Sequence, residues 1–224
     1  MDKVYISGLL ILVLALLIYG IPLLYGRRKV HLKGDKTYIS FDDGPSEVTP
    51  QVLEVLDQAG VKATFFLLGE EIVKRPQLVK KMAAEGHQLG LHGYSHRHPL
   101  KMTFPSQYED LKRGYKAFED LGLKPAYYRA PHGAYTWASL YFCSKYHLKI
   151  LHWTGLVGDW NLEEEDVLLG RLEALSGPGH LLVLHDGTKG TANPLAKTLV
   201  PQLLEDLNDA LKGHPAPLGT WRRP

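Results

Sequence analysis

Two adjacent carboxylates, two histidines four residues apart and a third histidine at the end of an apolar run are the residues of this chain best equipped for chemistry. The carboxylates are Asp42 and Asp43, in Ser40-Phe41-Asp42-Asp43-Gly44-Pro45. The paired histidines are His92 and His96, in His92-Gly93-Tyr94-Ser95-His96; the third is His185, in Val183-Leu184-His185-Asp186. Two imidazoles and a carboxylate are a common ligand set for a zinc-type catalytic metal that keeps open positions for water. The remaining carboxylate and histidine then supply a base and an acid, and the set as a whole points to a metal-dependent hydrolase. Each signal alone has an ordinary explanation. Asp-Asp-Gly-Pro makes a good surface turn, His is a common polar surface residue, and a histidine at the mouth of an apolar strand can be a satisfied core residue. Arg129, in Tyr128-Arg129-Ala130-Pro131-His132-Gly133, can pair with a site carboxylate. Asp159-Trp160 offers a carboxylate and a flat aromatic suited to a sugar groove.

The elements that must position these residues alternate in type. Strand-like runs lie at 37–41, 63–68, 88–91, 126–129, 148–153 and 181–184. Helical patterns lie between them: one opening at Thr49-Pro50, one marked by Leu78, Val79, Met82 and Ala83, then 108–121, 137–146, 166–175 and 195–211. Repeated βα units with continuous apolar strands indicate a parallel sheet covered by helices. Asp42 and Asp43, His92, Arg129, Asp159 and His185 each fall at or just past the C-terminal end of a predicted strand or its following loop. That is the edge where active sites of such sheets form.

The chain has 224 residues, 45% of them hydrophobic, and a net charge of +2. It is long enough for one domain and a short extra segment. Its charge gives nucleic-acid binding no support. The single cysteine, Cys143, excludes an internal disulfide and a cysteine-rich metal cluster, and it reads as a buried structural residue. From Val4 to Gly26 no residue is charged. That stretch is long enough to cross the ~30 Å hydrocarbon core as a helix, and it lacks the cleavage pattern of a signal peptide. The expected organisation is a transmembrane helix at 4–26, a linker at 27–36, a catalytic domain at 37–212 and a tail at 213–224. Arg27, Arg28 and Lys29 favour a cytoplasmic domain by the positive-inside tendency. The chemistry favours the outer side, and a single-pass protein with an extracytoplasmic domain is the expectation adopted.

Taken in order, these runs resemble the polysaccharide deacetylase family, also described as the NodB-homology or carbohydrate esterase family four domain, over roughly residues 35 to 212. Ser40 to Pro45 is similar to its Thr/Ser-Phe-Asp-Asp-Gly-Pro motif, and His92 to His96 to its His-x-x-x-His motif. Arg129 to Gly133 is similar to Arg-x-Pro-x-Gly, and Val183-Leu184-His185 to the last motif. The resemblance implies a distorted (β/α) barrel of about seven parallel strands. It implies Asp43, His92 and His96 as metal ligands, Asp42 as base, Arg129 as its holder and His185 as general acid, with Asp159 beside it. Pro131, His132, Trp160 and Leu184 would border the substrate. The implied cofactor is a divalent metal, zinc first, with cobalt, manganese or nickel as alternatives. The implied partner is an N-acetylated glycan, of the peptidoglycan or chitin type. The sequence departs from the pattern at Gly93, where Ser or Thr is usual, at His132, where an aromatic is frequent, and at Leu156, where many members carry Asp. A non-catalytic glycan-binding relic and an O-acetyl esterase are the alternatives.

Overall fold

The structure is a computed structural model that describes residues 2–28, 32–161, 163–187, 196–212 and 219–220. Part of the expected linker (29–31) and most of the expected tail lie outside the described residues. The N-terminal helix runs as α1 (Asp2–Ala15), a π-helical segment (Leu16–Gly20) and α2 (Ile21–Gly26). Pro22 explains the π segment. Its ring collides with the carbonyl four residues back and it has no N–H to give, and Ile21 N–H bonds instead to the Leu16 carbonyl. Ser7–Gly26, with mean hydropathy 2.5, is long and apolar enough to cross a membrane.

Seven strands follow: β1 (Tyr38–Asp42), β2 (Thr64–Leu67), β3 (Gln88–Leu91), β4 (Tyr127–Tyr128), β5 (Lys149–Ile150), β6 (Gly155–Leu156) and β7 (Leu181–His185). They form one curled parallel sheet in the order β5-β4-β3-β2-β1-β7-β6. The expected α/β architecture of seven parallel strands is therefore present. β5 is shorter than the 148–153 run suggested, and β6, two residues long, gave no sequence signal. The helices are α3 (Thr49–Gln58), α4 (Gly69–Lys74), α5 (Pro76–Ala84), α6 (Phe104–Glu119), α7 (Trp137–Lys145), α8 (Glu165–Leu175) and α9 (Ala196–Ala210). α6 starts four residues before the expected Tyr108, because Thr103 caps it by accepting the Ser106 N–H and Pro105 is harmless in a first turn. α7 carries a reciprocal Thr136–Ser139 capping box.

The central strands are buried on both faces, as a helix-covered parallel sheet requires. Phe41 on β1 stacks on Phe65 of β2 with centroids 5.0 Å apart. Val52, Leu53 and Leu56 of α3 and Leu203, Leu204 and Leu207 of α9 pack in the same core. Burying each such side chain contributes about 1.5–3 kcal/mol, so the sheet edge that carries the polar residues stands on a stiff base.

The loop after β3 is held by a close crossing of α4 and α6. A Cβ on Gly69 would lie 2.7 Å from the Gly114 Cα, and one on Gly114 would lie 2.7 Å from the Gly93 carbonyl oxygen. Gly69 N–H donates to the Gly93 carbonyl at 3.0 Å, and Glu70 N–H to the Tyr94 carbonyl at 3.1 Å. The helices thus press directly on the loop between His92 and His96. Gly114→Val is expected to cost about 1–3 kcal/mol by overpacking, a fall of roughly 2–4 °C in Tm per kcal/mol for a chain of this size. It is also expected to weaken metal binding; a thermal melt beside a zinc titration reads both.

Candidate active site

Asp42 ends β1, and Asp43 leaves the strand with φ 72°. Successive strand residues face opposite ways, so this left-handed step lets both carboxylates serve one cavity. The turn is therefore made at Asp43 itself as well as at the Gly44-Pro45 that follows. Both carboxylates are buried, and their surroundings differ sharply.

Asp43 faces the histidines. Its Oδ1 lies 3.2 Å from His92 Nε2 and 3.0 Å from His96 Nε2. His92 Nδ1 lies 2.8 Å from the Arg129 carbonyl oxygen. A carbonyl can only accept, so Nδ1 carries a proton there, and Nε2 is the ring atom turned on the carboxylate. Lone pairs converge in this way only around a cation or an added proton. One ligand atom from each of the three residues lies within 4.8 Å of the others, and Asp43 Oδ1 is buried without a hydrogen-bond partner. The donor set fits a divalent metal, with the histidine orientation fixed from behind as metal sites require. Burial works to raise the Asp43 carboxyl, but the two imidazoles outweigh it and hold the group well below the usual carboxylate range.

Asp42 faces Arg129. The guanidinium is fully buried and donates through Nη1 to Asp42 Oδ1 at 2.7 Å and to Ser40 Oγ at 2.9 Å. Its Nε donates to the Leu151 carbonyl at 3.1 Å, and the Phe66 ring lies beneath it with the centroid 3.9 Å away. The other Asp42 oxygen is 4.0 Å from His92 Nε2. One carboxylate therefore belongs to the set that could hold a metal, and its neighbour sits beside that set in the grip of a cation.

His185 ends β7, and its Cα is the register partner of Asp42 across the β1–β7 ladder. Asp159 accepts from the His185 backbone N–H at 2.7 Å and meets Nδ1 at 2.9 Å. Burial works to lower the imidazole pKa, but the Asp159 carboxylate outweighs it and the ring is pushed up to about 10. The Trp160 ring stands edge-on to His185, with centroids 5.0 Å apart. Leu156 is exposed on β6, and among the described residues it is Asp159 whose carboxylate meets the His185 ring. His132, at φ 56°, stacks on His98 and lies 4.7 Å, centroid to centroid, from His96. Burial and the neighbouring rings lower its pKa to about 4, so at neutral pH it adds no charge. Pro131 is buried beside it.

One expected site residue does not reach the site. Leu184 is fully buried in the main core and pairs with Phe41. It precedes His185 on the strand, so its side chain takes the opposite face. Conversely, Asp110 on α6 was not singled out by sequence. It accepts from Tyr94 N–H at 2.9 Å and Ser95 Oγ at 2.5 Å and fixes the loop between the two histidines. Gly93 in that loop takes φ 92° and would bring a Cβ to 3.1 Å from the same carboxylate. Glycine suits this position better than the usual Ser or Thr would in the same conformation. Asp186, buried under the Asp43-Gly44 turn, accepts from Thr49 Oγ1 at 2.5 Å. Burial pushes its carboxyl up to about 7.

The buried Arg129–Asp42 pair can be tested without an activity assay. Arg129→Met strands a buried carboxylate and is expected to cost about 3–5 kcal/mol in chemical denaturation. Adding Asp42→Asn to Arg129→Met should return part of that loss.

Comparison with known proteins gives the same arrangement a lineage. A family profile described as polysaccharide deacetylase matches residues 29–151. A peptidoglycan-N-acetylglucosamine deacetylase of Listeria monocytogenes is 35% identical over 163 residues, covering 72% of this chain and 34% of that protein. The chain thus spans about a third of that relative's length. A chitooligosaccharide deacetylase of Bradyrhizobium is 34% identical over 174 residues, covering 75% of this chain and 78% of the relative. Among solved structures, the Bc1960 peptidoglycan N-acetylglucosamine deacetylase is 29% identical with TM-score 0.74, covering 86% of this chain and 88% of that one. A family 4 carbohydrate esterase from Streptomyces lividans is 26% identical with TM-score 0.70, covering 83% and 92%. The profile covers more than half of the chain and the Bradyrhizobium relative is matched over most of its own length, and the chain belongs to the polysaccharide deacetylase family.

Proposed function

We propose that this protein is a metal-dependent hydrolase that removes N-acetyl groups from the amino sugars of a cell-wall-type glycan. The observation that carries the reading is the flanking of Asp43, His92 and His96 by a base and an acid in opposite charge environments. Asp42 is gripped by Arg129 at 2.7 Å, and His185 is held by Asp159 at 2.9 Å. A module that only binds glycan needs neither device.

Asp43, His92 and His96 would hold a divalent ion, zinc first. Such an ion, when bound, supplies Lewis-acid polarisation of the acyl oxygen and a lowered pKa for water. Asp42, fixed by Arg129, accepts the proton of the attacking water. The backbone N–H of His132 donates to the oxygen that becomes negative. His185 enters the reaction protonated and passes its proton to the departing amine nitrogen, leaving acetate and a free amino sugar. Trp160 and His132 border the groove that receives the sugar ring. We place the protein in a membrane through Ser7–Gly26, with the catalytic domain on the outer side where such glycans lie.

The test is acetate release from N-acetylglucosamine oligomers and from peptidoglycan, with O-acetylated xylan as the ester control. Release is expected to stop on chelation, return with zinc and vanish in Asp43→Ala. Asp42→Asn is expected to lower the rate by about 10²–10⁴. Folded, metal-loaded protein that binds the oligomers and releases no acetate would overturn the assignment, and faster turnover of the ester control would move it to an O-acetyl esterase.

The acid has its own signature. A raised imidazole pKa keeps His185 protonated through neutral pH, and the acid is lost only as pH climbs through that value, about 10. Removing the neighbouring charge lowers it, so Asp159→Asn is expected to move the alkaline limb of kcat/KM down by about 1–3 units. An unmoved limb would show that another group is the acid.

A further inference from the structure

The N-terminal helix is joined to the catalytic domain at a point that lies inside its own apolar span. In the π segment, the carbonyl of residue i is served by the N–H of residue i+5. For Leu17 that residue is Pro22, which has no N–H, and the alternative donor, Ile21, is committed to Leu16. The Leu17 carbonyl is instead taken by the Trp137 indole N–H at 3.0 Å, from the first residue of α7. Two further ties hold the same junction. Arg27 Nε donates to the Gly133 carbonyl at 2.8 Å, and Gly26 lies so close to Tyr135 that a Cβ there would fall 2.0 Å from the ring.

Leu17 precedes Gly26 by about 14 Å of helix at 1.5 Å per residue. A headgroup layer is only about 5–8 Å thick on each side of the hydrocarbon core. If Ser7–Gly26 crosses the bilayer, the start of α7 goes with it to the level of the headgroups and below. The surface around that point is suited to such a place. Trp137 and Tyr141, one turn apart on α7, are 47% and 53% exposed, and Phe104, against the Tyr141 ring, is 48% exposed. Aromatics of this kind favour the membrane–water interface. Between the helix and α7 lies a cleft of about 920 Å³, lined by Ile21, Leu140, Leu148 and Ile150 and by the cations Arg28 and Lys149. Lys145 stands nearby, bonded to the Tyr108 hydroxyl whose ring meets Tyr141.

We propose that this face seats the catalytic domain on the bilayer. Its occupant is the anionic phospholipid of the adjoining leaflet, acyl chains against the apolar cleft and aromatics, phosphates at Arg28, Lys145 and Lys149. The inference rests on reading Ser7–Gly26 as a membrane span, and it is continuous with that span through the Trp137–Leu17 bond. It goes beyond anchoring: the domain lies on the membrane surface and does not hang from a free tether.

The test uses the full chain in phosphatidylglycerol-containing vesicles, with nitroxides on single introduced cysteines. The native thiol, Cys143, is only 5% exposed but lines the cleft, so the labels are carried in a Cys143→Ala background. Labels are placed by Phe104→Cys, Tyr141→Cys, Leu12→Cys within the span, and Gln58→Cys on the outer face of α3. At 104 and 141, collisions with lipid-soluble oxygen are expected to exceed those with an aqueous nickel chelate, as at 12 and in reverse of 58. Replacing phosphatidylglycerol by phosphatidylcholine is expected to weaken the oxygen preference at 141. Labels at 104 and 141 that behave like 58, while 12 remains in lipid, would overturn the seat and leave the span standing. Aqueous behaviour at 12 as well would overturn the span and the seat with it. An oxygen preference at 141 that ignores lipid charge would overturn the choice of an anionic occupant.

Discussion

A fully buried guanidinium organises this site. Arg129, just past β4, is a costly residue to bury inside a curled parallel sheet, since an unpaired buried charge is among the most destabilising features a fold can carry. The surrounding groups answer much of that cost through Nε and Nη1: Asp42 and Ser40 from β1, the Leu151 carbonyl past β5, and the Phe66 ring of β2 beneath, while Nη2 is buried without a hydrogen-bond partner. The backbone of the same residue fixes a candidate metal ligand, because its carbonyl receives His92 Nδ1. One residue thus sets both the carboxylate that would act as base and the imidazole that would face the ion. Displacing it would disturb both at once.

The contrast between Asp42 and Asp43 follows from this anchoring. Adjacent in sequence and both buried, they experience different fields because the chain turns at Asp43. One points along the sheet toward a permanent cation. The other points toward two imidazoles whose Nε2 atoms converge on it. The same partition recurs at His185, where a carboxylate behind the ring keeps a proton on it, and at His132, where neighbouring rings and burial keep a proton off. Four groups with ordinary intrinsic affinities are thereby set to four different tasks by position alone.

Much of this was legible in the residues. Continuous apolar strands announced a helix-covered parallel sheet, and the polar residues at strand ends announced the edge where they meet. What escaped has physical reasons. β6 is two residues long, too short to show a period. α4 is six residues long and opens on Gly69, chosen for the closeness of its neighbours and not for helix propensity. Asp110 lies mid-helix, where a carboxylate looks like a solvated face, and only the folded loop shows that it receives Tyr94 and Ser95. Leu184 was assigned to the groove by its place in a motif, and strand alternation puts it in the core.

The order of the strands along the chain has a consequence for how the site comes into being. Asp42, Asp43, His92, His96 and Arg129 all lie in the first 129 residues, whereas His185 belongs to β7, the last strand, which fits between β1 and β6. A chain made from its N-terminus therefore presents all three candidate metal ligands, with the proposed base and its holder, well before the proposed proton donor exists. Contacts between β1 and β7 bridge more than 140 positions of sequence, the kind of long closure that forms late. The nascent chain thus passes through a stage with Asp43, His92 and His96 present and His185 still missing, and the closure that completes the sheet also supplies the residue proposed as acid.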